Sequence, residues 1–264
     1  MTEDGGGAVP VGAREEPVGA GVVPHGVGRV RVSAAATDLV TGESVRCGGG
    51  VFVSASVVKA DILAALLLRA QDSGRGPTAA ERSLAAAMIE RSDNDAASVL
   101  WRTVGSAAGL DAACARLGLT ETAGGEGGYW GLTRTTAADR LVLLRRLLGR
   151  DGEEGADLLG GDARALARTL MGRVVAAQAW GVPVVADGSA WAVKNGWMPR
   201  DATGLWVVHS FGRVTSGGRD CLLAVLSDGH ATMAGGVARV EAAARAAMAA
   251  LPPQPAEGGR RPAG

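Results

Sequence analysis

The 264 residues contain only two lysines and two asparagines, and these fall in three short clusters: Ser56-Val57-Val58-Lys59, Ser92-Asp93-Asn94 and Lys194-Asn195-Gly196. Every other member of the 27 Lys plus Arg is an arginine. A chain that uses Arg wherever a generic positive charge serves keeps Lys where an amine must lose its proton or act as a compact point charge. Lys59 stands three residues after Ser56, so on a helix the two side chains share a face one turn apart. A serine hydroxyl is a weak nucleophile until a base removes its proton. An amine desolvated among apolar neighbours and close to another cation has its pKa lowered enough to be that base. Lys194 is the candidate second cation. A serine at a helix amino terminus also presents its own backbone N–H to a developing oxyanion, and a strand following Lys194 supplies a second N–H at Trp197. The chemistry these residues suit is acyl transfer through an ester on Ser56.

Each cluster has a plainer reading beside this one. Ser56 can be a helix cap with Lys59 on the surface, Ser92-Asp93-Asn94 are all favoured capping types, and Lys194-Asn195-Gly196 suits a turn at a strand end. The combination, in this order and in these elements, favours chemistry. Tyr129 and Trp130 read either as a cleft wall or as anchors of their loop. His209, His230 and Cys221 lack metal-ligand spacing, and neither a Gly-x-Ser-x-Gly elbow nor a Gly-x-x-x-x-Gly-Lys phosphate loop occurs, so no metal and no cofactor is expected.

The elements that must position the clusters are legible from periodicity. Arg29 to Asp38 and Glu43 to Gly48, around Thr41-Gly42, predict a hairpin. From Ser56 to Gln71 apolar residues recur at helical spacing on most sides, which predicts a buried helix. Thr78 with Glu81 forms a capping box for a helix to Arg91, followed by helices over 95–104 and 111–117. Residues 124–131 form a glycine-rich loop, Thr136 with Asp139 opens a helix through Leu148, and 162–179 reads as helical. Three antiparallel strands are predicted over 191–194, 204–211 and 220–226, then an amphipathic helix over 237–251. This order implies an α+β fold: an antiparallel sheet formed by both chain ends, flanking helices and an inserted all-helical lobe. The folded unit spans 28–251, with an α/β lobe of 28–55 and 185–251 and a helical lobe of 56–184. Residues 1–27 and 252–264, rich in Gly and Pro without periodicity, read as tails.

Hydrophobic residues make up 47% and charged residues 20%, the usage of an ordinary globular chain long enough for a large core. Lys plus Arg (27) cancels Asp plus Glu (27), so no net field favours nucleic acid or an anionic membrane surface. Three scattered cysteines, Cys47, Cys114 and Cys221, fit reduced thiols better than a disulfide framework. The longest apolar run, Ile62 to Leu68, is too short for a membrane span, and the first residues lack the pattern of a signal peptide. A cytoplasmic location and a small-molecule substrate are therefore expected.

The three clusters, their order and the surrounding text (Ser56 to Leu68, Met88 to Leu100, Thr135-Thr136-Ala137-Ala138 and Lys194 to Trp197) resemble the penicillin-recognising serine enzymes, especially class A β-lactamases. The resemblance covers about residues 28 to 251. It implies Ser56 as the acylated nucleophile, Lys59 as proton acceptor, Ser92 as proton shuttle to the leaving nitrogen and Asn94 as a substrate-amide contact. It implies that Lys194 holds the substrate carboxylate and tunes the shuttle, with Asn195 and Trp197 also at the substrate and Gly196 leaving room for it against the strand. Antibiotic resistance or β-lactam breakdown would be the setting. Asn195 departs from the usual Thr or Ser, and the stretch between the first two clusters is short, which implies a trimmed helical lobe. The loop before Thr136 lacks the Glu-x-x-x-Asn element whose Glu activates the deacylating water; Glu126 has the best reach among its carboxylates. Two alternatives stay open: a cytoplasmic esterase, amidase or acyl transferase of small-molecule metabolism, and a lactam-binding protein acylated without turnover.

Overall fold

The structure, a computed structural model, describes residues 29–152, 158–188 and 190–253. The expected tails lie outside these, apart from Pro252 and Pro253. The chain opens with β1 (Arg31–Asp38), β2 (Ser44–Cys47) and the two-residue β3 (Phe52–Val53). Helices α1 (Lys59–Asp72), α2 (Ala79–Glu90), α3 (Asn94–Thr103) and α4 (Ser106–Leu117) follow, then β4 (Arg134–Thr135), α5 (Ala137–Leu148) and α6 (Gly161–Met171). The chain returns through β5 (Ala192–Pro199), β6 (Trp206–Ser216), β7 (Arg219–His230) and α7 (Met233–Ala250). The large sheet is antiparallel throughout its pairings, in the order β2-β1-β7-β6-β5, so both chain ends build it, as expected. β5 is an edge strand.

Side chains alternate across this sheet. Ala35, Phe211, Leu222, Ala224 and Leu226 face a core shared with α1, while Ala34, Val193, Val208, Leu223 and Val225 face a second core closed by α7. Helix α1 is buried on nearly all sides, which explains why its sequence is apolar all round. The capping box of α2 forms, with Thr78 Oγ1 accepting from Glu81 N at 3.2 Å and Glu81 Oε2 accepting from Thr78 N at 2.7 Å.

Several boundaries differ from the sequence expectation. α4 begins at Ser106 rather than Asp111, because Ala-rich residues without apolar periodicity still favour helix. α6 stops at Met171 rather than near Ala179. Beyond Gly172 the chain turns to pair with the end of α2, Val175 N donating to Glu90 O at 2.9 Å. β6 and β7 run longer than predicted and meet at Gly217-Gly218, both at positive φ (57° and 77°), the backbone that a tight hairpin turn requires. α7 starts at Met233 because Thr232 caps it, its hydroxyl accepting from Gly235 N at 3.1 Å. β5 runs straight through Lys194, Asn195, Gly196 and Trp197 instead of ending at Lys194.

Candidate active site

Ser56 sits in a short 3-10 turn, Ala55–Val58, that leads directly into α1, so it precedes that helix by one turn instead of beginning it. Ala55 is held at φ 48° and Ser92 at φ 57°, so the residue before Ser56 and the first residue of the second cluster both occupy left-handed backbone unusual for a side chain. Strain of this kind persists where the surrounding structure over-determines it. Here the turn is clamped from two sides. Ser54 N donates to Thr133 O at 2.7 Å, and β5 packs against it at Gly196.

Gly196 explains that approach. A Cβ built there would lie 2.6 Å from Val57 N and 2.9 Å from Ser56 N, distances no side chain tolerates. The space expected to hold substrate beside Gly196 is filled by the Ser56 turn itself, and the absence of a side chain at Gly196 admits it. The next residue, Trp197, lies on a strand paired on one side only.

Lys59 and Lys194 are both fully buried and both reach Ser92. Lys59 Nζ donates to Ser92 Oγ at 3.0 Å, to Ser92 O at 2.5 Å and to Asn94 Oδ1 at 2.8 Å. Lys194 Nζ donates to Ser92 Oγ at 3.1 Å and to Asn195 O at 2.9 Å. Ser92 Oγ thus accepts two bonds, which uses both its lone pairs and leaves its proton available to a further acceptor. Burial pulls the Lys59 amine down to about 8, opposed by the charge of Asp93. Burial pulls Lys194 well below the ordinary lysine range, and the neighbouring Lys59 charge acts in the same direction. Two buried amines thus share one hydroxyl oxygen, an arrangement in which burial disfavours charge on both.

Second-cluster residues divide their roles. Asp93 is the N-cap of α3, accepting from Ala96 N at 2.7 Å, so the plainer reading of that cluster is correct for Asp93 while Ser92 and Asn94 turn to the lysines. Alternation along β5 sends Asn195 to the opposite sheet face from Lys194 and Gly196. Its amide donates to Gln178 O at 2.8 Å and Trp180 O at 2.9 Å, tying residues 178–180 to the sheet rather than facing the cleft. The ring of Trp197 also lies on that outer face, edge-to-face with Trp180 at 5.7 Å. Glu126 lies exposed in a 3-10 turn, and among the described residues no hydrogen bond or ion pair joins it to Ser56, Lys59, Ser92 or Lys194.

The loop contributes Trp130 instead. Its ring lies over Lys59 Nζ at 4.8 Å, and its Nε1 donates to Ser98 Oγ at 3.2 Å. Sequence reading left Trp130 as wall or anchor; no spacing rule links it to Lys59. It also missed the buried pair Asp61–Arg140, which bolts α1 to α5, Arg140 Nη2 donating to Asp61 Oδ1 at 2.6 Å. Cys114 and Cys221 are buried thiols outside any disulfide; burial pushes the Cys221 thiol up to about 12 and Cys114 higher still. Among the described residues no group of three or more His, Cys, Asp or Glu side chains is arranged to hold a metal.

A family profile described as the beta-lactamase enzyme family matches residues 71–251. The chain belongs to that family. The match begins after Ser56 and Lys59. Among solved structures the class A β-lactamase-like fold is shared with PBP-A (20% identity, TM-score 0.68, covering 82% of this chain and 88% of that one). It is shared equally with the TLA-3 extended-spectrum beta-lactamase (13%, TM-score 0.70, 82% and 91%) and a beta-lactamase from Chitinophaga pinensis (17%, TM-score 0.68, 81% and 91%). No curated protein matches the sequence. No helix among the described residues is long and apolar enough to cross a membrane.

Proposed function

We propose that this β-lactamase-family chain is a serine hydrolase that opens a β-lactam or related amide through an ester on Ser56. The observation that carries this reading is the convergence of two buried lysines on one serine hydroxyl, Ser92 Oγ, at 3.0 and 3.1 Å beside the Ser56 turn. Neutral Lys59 accepts the proton of Ser56 Oγ as that oxygen attacks the carbonyl carbon. The N–H groups of Ser56 and Trp197 stabilise the oxyanion. The amide C–N bond then breaks, and its nitrogen takes the proton that Ser92 Oγ keeps free; the lysines return a proton to Ser92. Asn94 and Lys194 orient the substrate, the Lys194 amine donating a hydrogen bond to a carboxylate. Asn195 acts from behind, by fixing the 178–180 segment.

One observation favours a slow-turnover version, in which the protein is acylated and released slowly. Among the described residues no carboxylate is hydrogen-bonded to Ser56, Lys59, Ser92 or Lys194, whereas hydrolysis of the ester needs a base for water. A solved structure of the PBP-A L158E mutant is an acyl-enzyme complex with penicillin G, a precedent for trapping on this fold. A cytoplasmic esterase, amidase or acyl transferase would use the same groups on a different acyl donor. Turnover of a chromogenic cephalosporin against p-nitrophenyl esters separates these: the leading reading expects lactam opening, and ester cleavage with no lactam reaction overturns it.

A further inference from the structure

Resting on the acyl-enzyme reading, we propose that Trp130 is a positioning residue that sets the lifetime of the Ser56 ester by holding Lys59 in place and keeping water from it. All three donors of the Lys59 ammonium are engaged, by Ser92 O, Ser92 Oγ and Asn94 Oδ1, and the indole face covers the same nitrogen. The ring is pinned in turn. Trp130 Nε1 donates to Ser98 Oγ, whose hydroxyl donates to Asn94 O at 2.8 Å, so Lys59, Asn94, Ser98 and Trp130 close a circuit of contacts. Its backbone is held as well: Thr133, at the end of the same loop turn, accepts from Ser54 N beside the nucleophile, and Thr133 N donates back to Trp130 O at 3.1 Å. The ring cannot swing aside without breaking these bonds.

Hydrolysis of the ester forms a bond from the water oxygen to the acyl carbon and breaks the bond from that carbon to Ser56 Oγ. The proton lost by water passes to a base and ends on Ser56 Oγ. Lys59, one turn after Ser56 in the chain, is the amine assigned to take that proton; Lys194 is joined to Ser92 Oγ and Asn195 O, and Glu126 sits on an exposed turn. In the neutral amine one of the three hydrogen-bonded directions becomes a lone pair, and the apolar ring over the nitrogen limits the approach of a water molecule to it, so the ester outlasts its formation. Removing the ring admits water to the amine.

The two lysines make this testable without knowledge of the natural substrate. The full chain, Trp130→Ala and Trp130→Phe are treated with limiting acetic anhydride, and acetylation at Lys59 and Lys194 is read by peptide mass. In parallel each is loaded with benzylpenicillin, freed of excess ligand and followed by intact mass as the adduct decays. Trp130→Ala is expected to label Lys59 at least about tenfold faster and to shed its adduct at least about tenfold faster, with Lys194 labelling unchanged. Trp130→Phe, which keeps an aromatic face, restores most of the protection. Unchanged Lys59 labelling in Trp130→Ala, an unchanged adduct lifetime, or a parallel rise at both lysines overturns the proposal. Absence of any adduct in all three proteins counts against the acyl-enzyme reading, while Lys59 labelling still decides the shielding.

Discussion

A buried lysine with a lowered pKa is a liability that the fold carries for chemistry. Unfolded, Lys59 binds its proton up to about 10.5; folded, only up to about 8. Between those values the unfolded state holds more protons, so stability rises with pH across that window, and at pH 7 the full cost, roughly 3 kcal/mol, is present. Lys59→Met is therefore expected to raise the denaturant midpoint at pH 7 while abolishing acylation; a lower midpoint would contradict this. The acylation rate of the native chain should climb with pH toward a midpoint near about 8, as Lys59 becomes the neutral base; stopped acylation reactions read by mass across pH 6 to 10 check it. These residues were legible because Lys and Asn are so scarce. The placement of Asn195 was legible too, by a rule left unapplied: once Lys194 faces the site, strand alternation puts its neighbour on the far side. Trp130 was not, since a loop residue reaches its partner through tertiary closure, for which no local pattern exists.

Single elements here are set by one close contact each. Gly196 lets β5 meet the nucleophile turn, so Gly196→Ala drives a methyl group into the backbone N–H of Val57. Overpacking of that kind costs about 1–3 kcal/mol and should cut Ser56 acylation by roughly a hundredfold, because sub-ångström misplacement of a nucleophile is amplified in rate. Thermal unfolding and adduct formation measure the two effects. α1 is fixed to α5 by Asp61–Arg140, both buried. Asp61→Ala leaves Arg140 uncompensated and is expected to cost about 3–5 kcal/mol, read by urea denaturation; a change within 1 kcal/mol, as for a surface pair, would show that the pair is idle. The helices of this lobe were readable from caps and periodicity. Their ends were not where small residues replaced an apolar marker, as at Gly172 and over Ser106-Ala107-Ala108. The through-running β5 was missed because Asn-Gly reads locally as a turn, and only the approach of Ser56 reveals why a glycine belongs mid-strand.

At the scale of the molecule, the sheet must hold β5 against the Ser56 turn, and His209 is part of that brace. Its Nδ1 accepts from Ser227 N at 3.0 Å and its Nε2–H donates to Val53 O at 2.8 Å, joining β6, β7 and the chain leading to Ser54. Burial pulls His209 down to about 4 from 6.5. The unfolded chain takes a proton at about 6.5 and the folded one resists until about 4, so stability is complete above that window and falls by roughly 3 kcal/mol as the pH drops through it. Urea midpoints at pH 7 and pH 4.5 should show this loss in the native chain and a flatter profile in His209→Gln. The overall arrangement, sheet from both ends and helices between, was readable from the order of elements alone; what the sheet is braced by was not. The central claim concerns one oxygen, and intact-mass spectrometry after incubation with benzylpenicillin addresses it most directly. The native chain is expected to gain the mass of one ligand on the peptide carrying Ser56, and Ser56→Ala to gain none. An unmodified native chain that also fails to consume the lactam, or an adduct that persists in Ser56→Ala, would contradict the account.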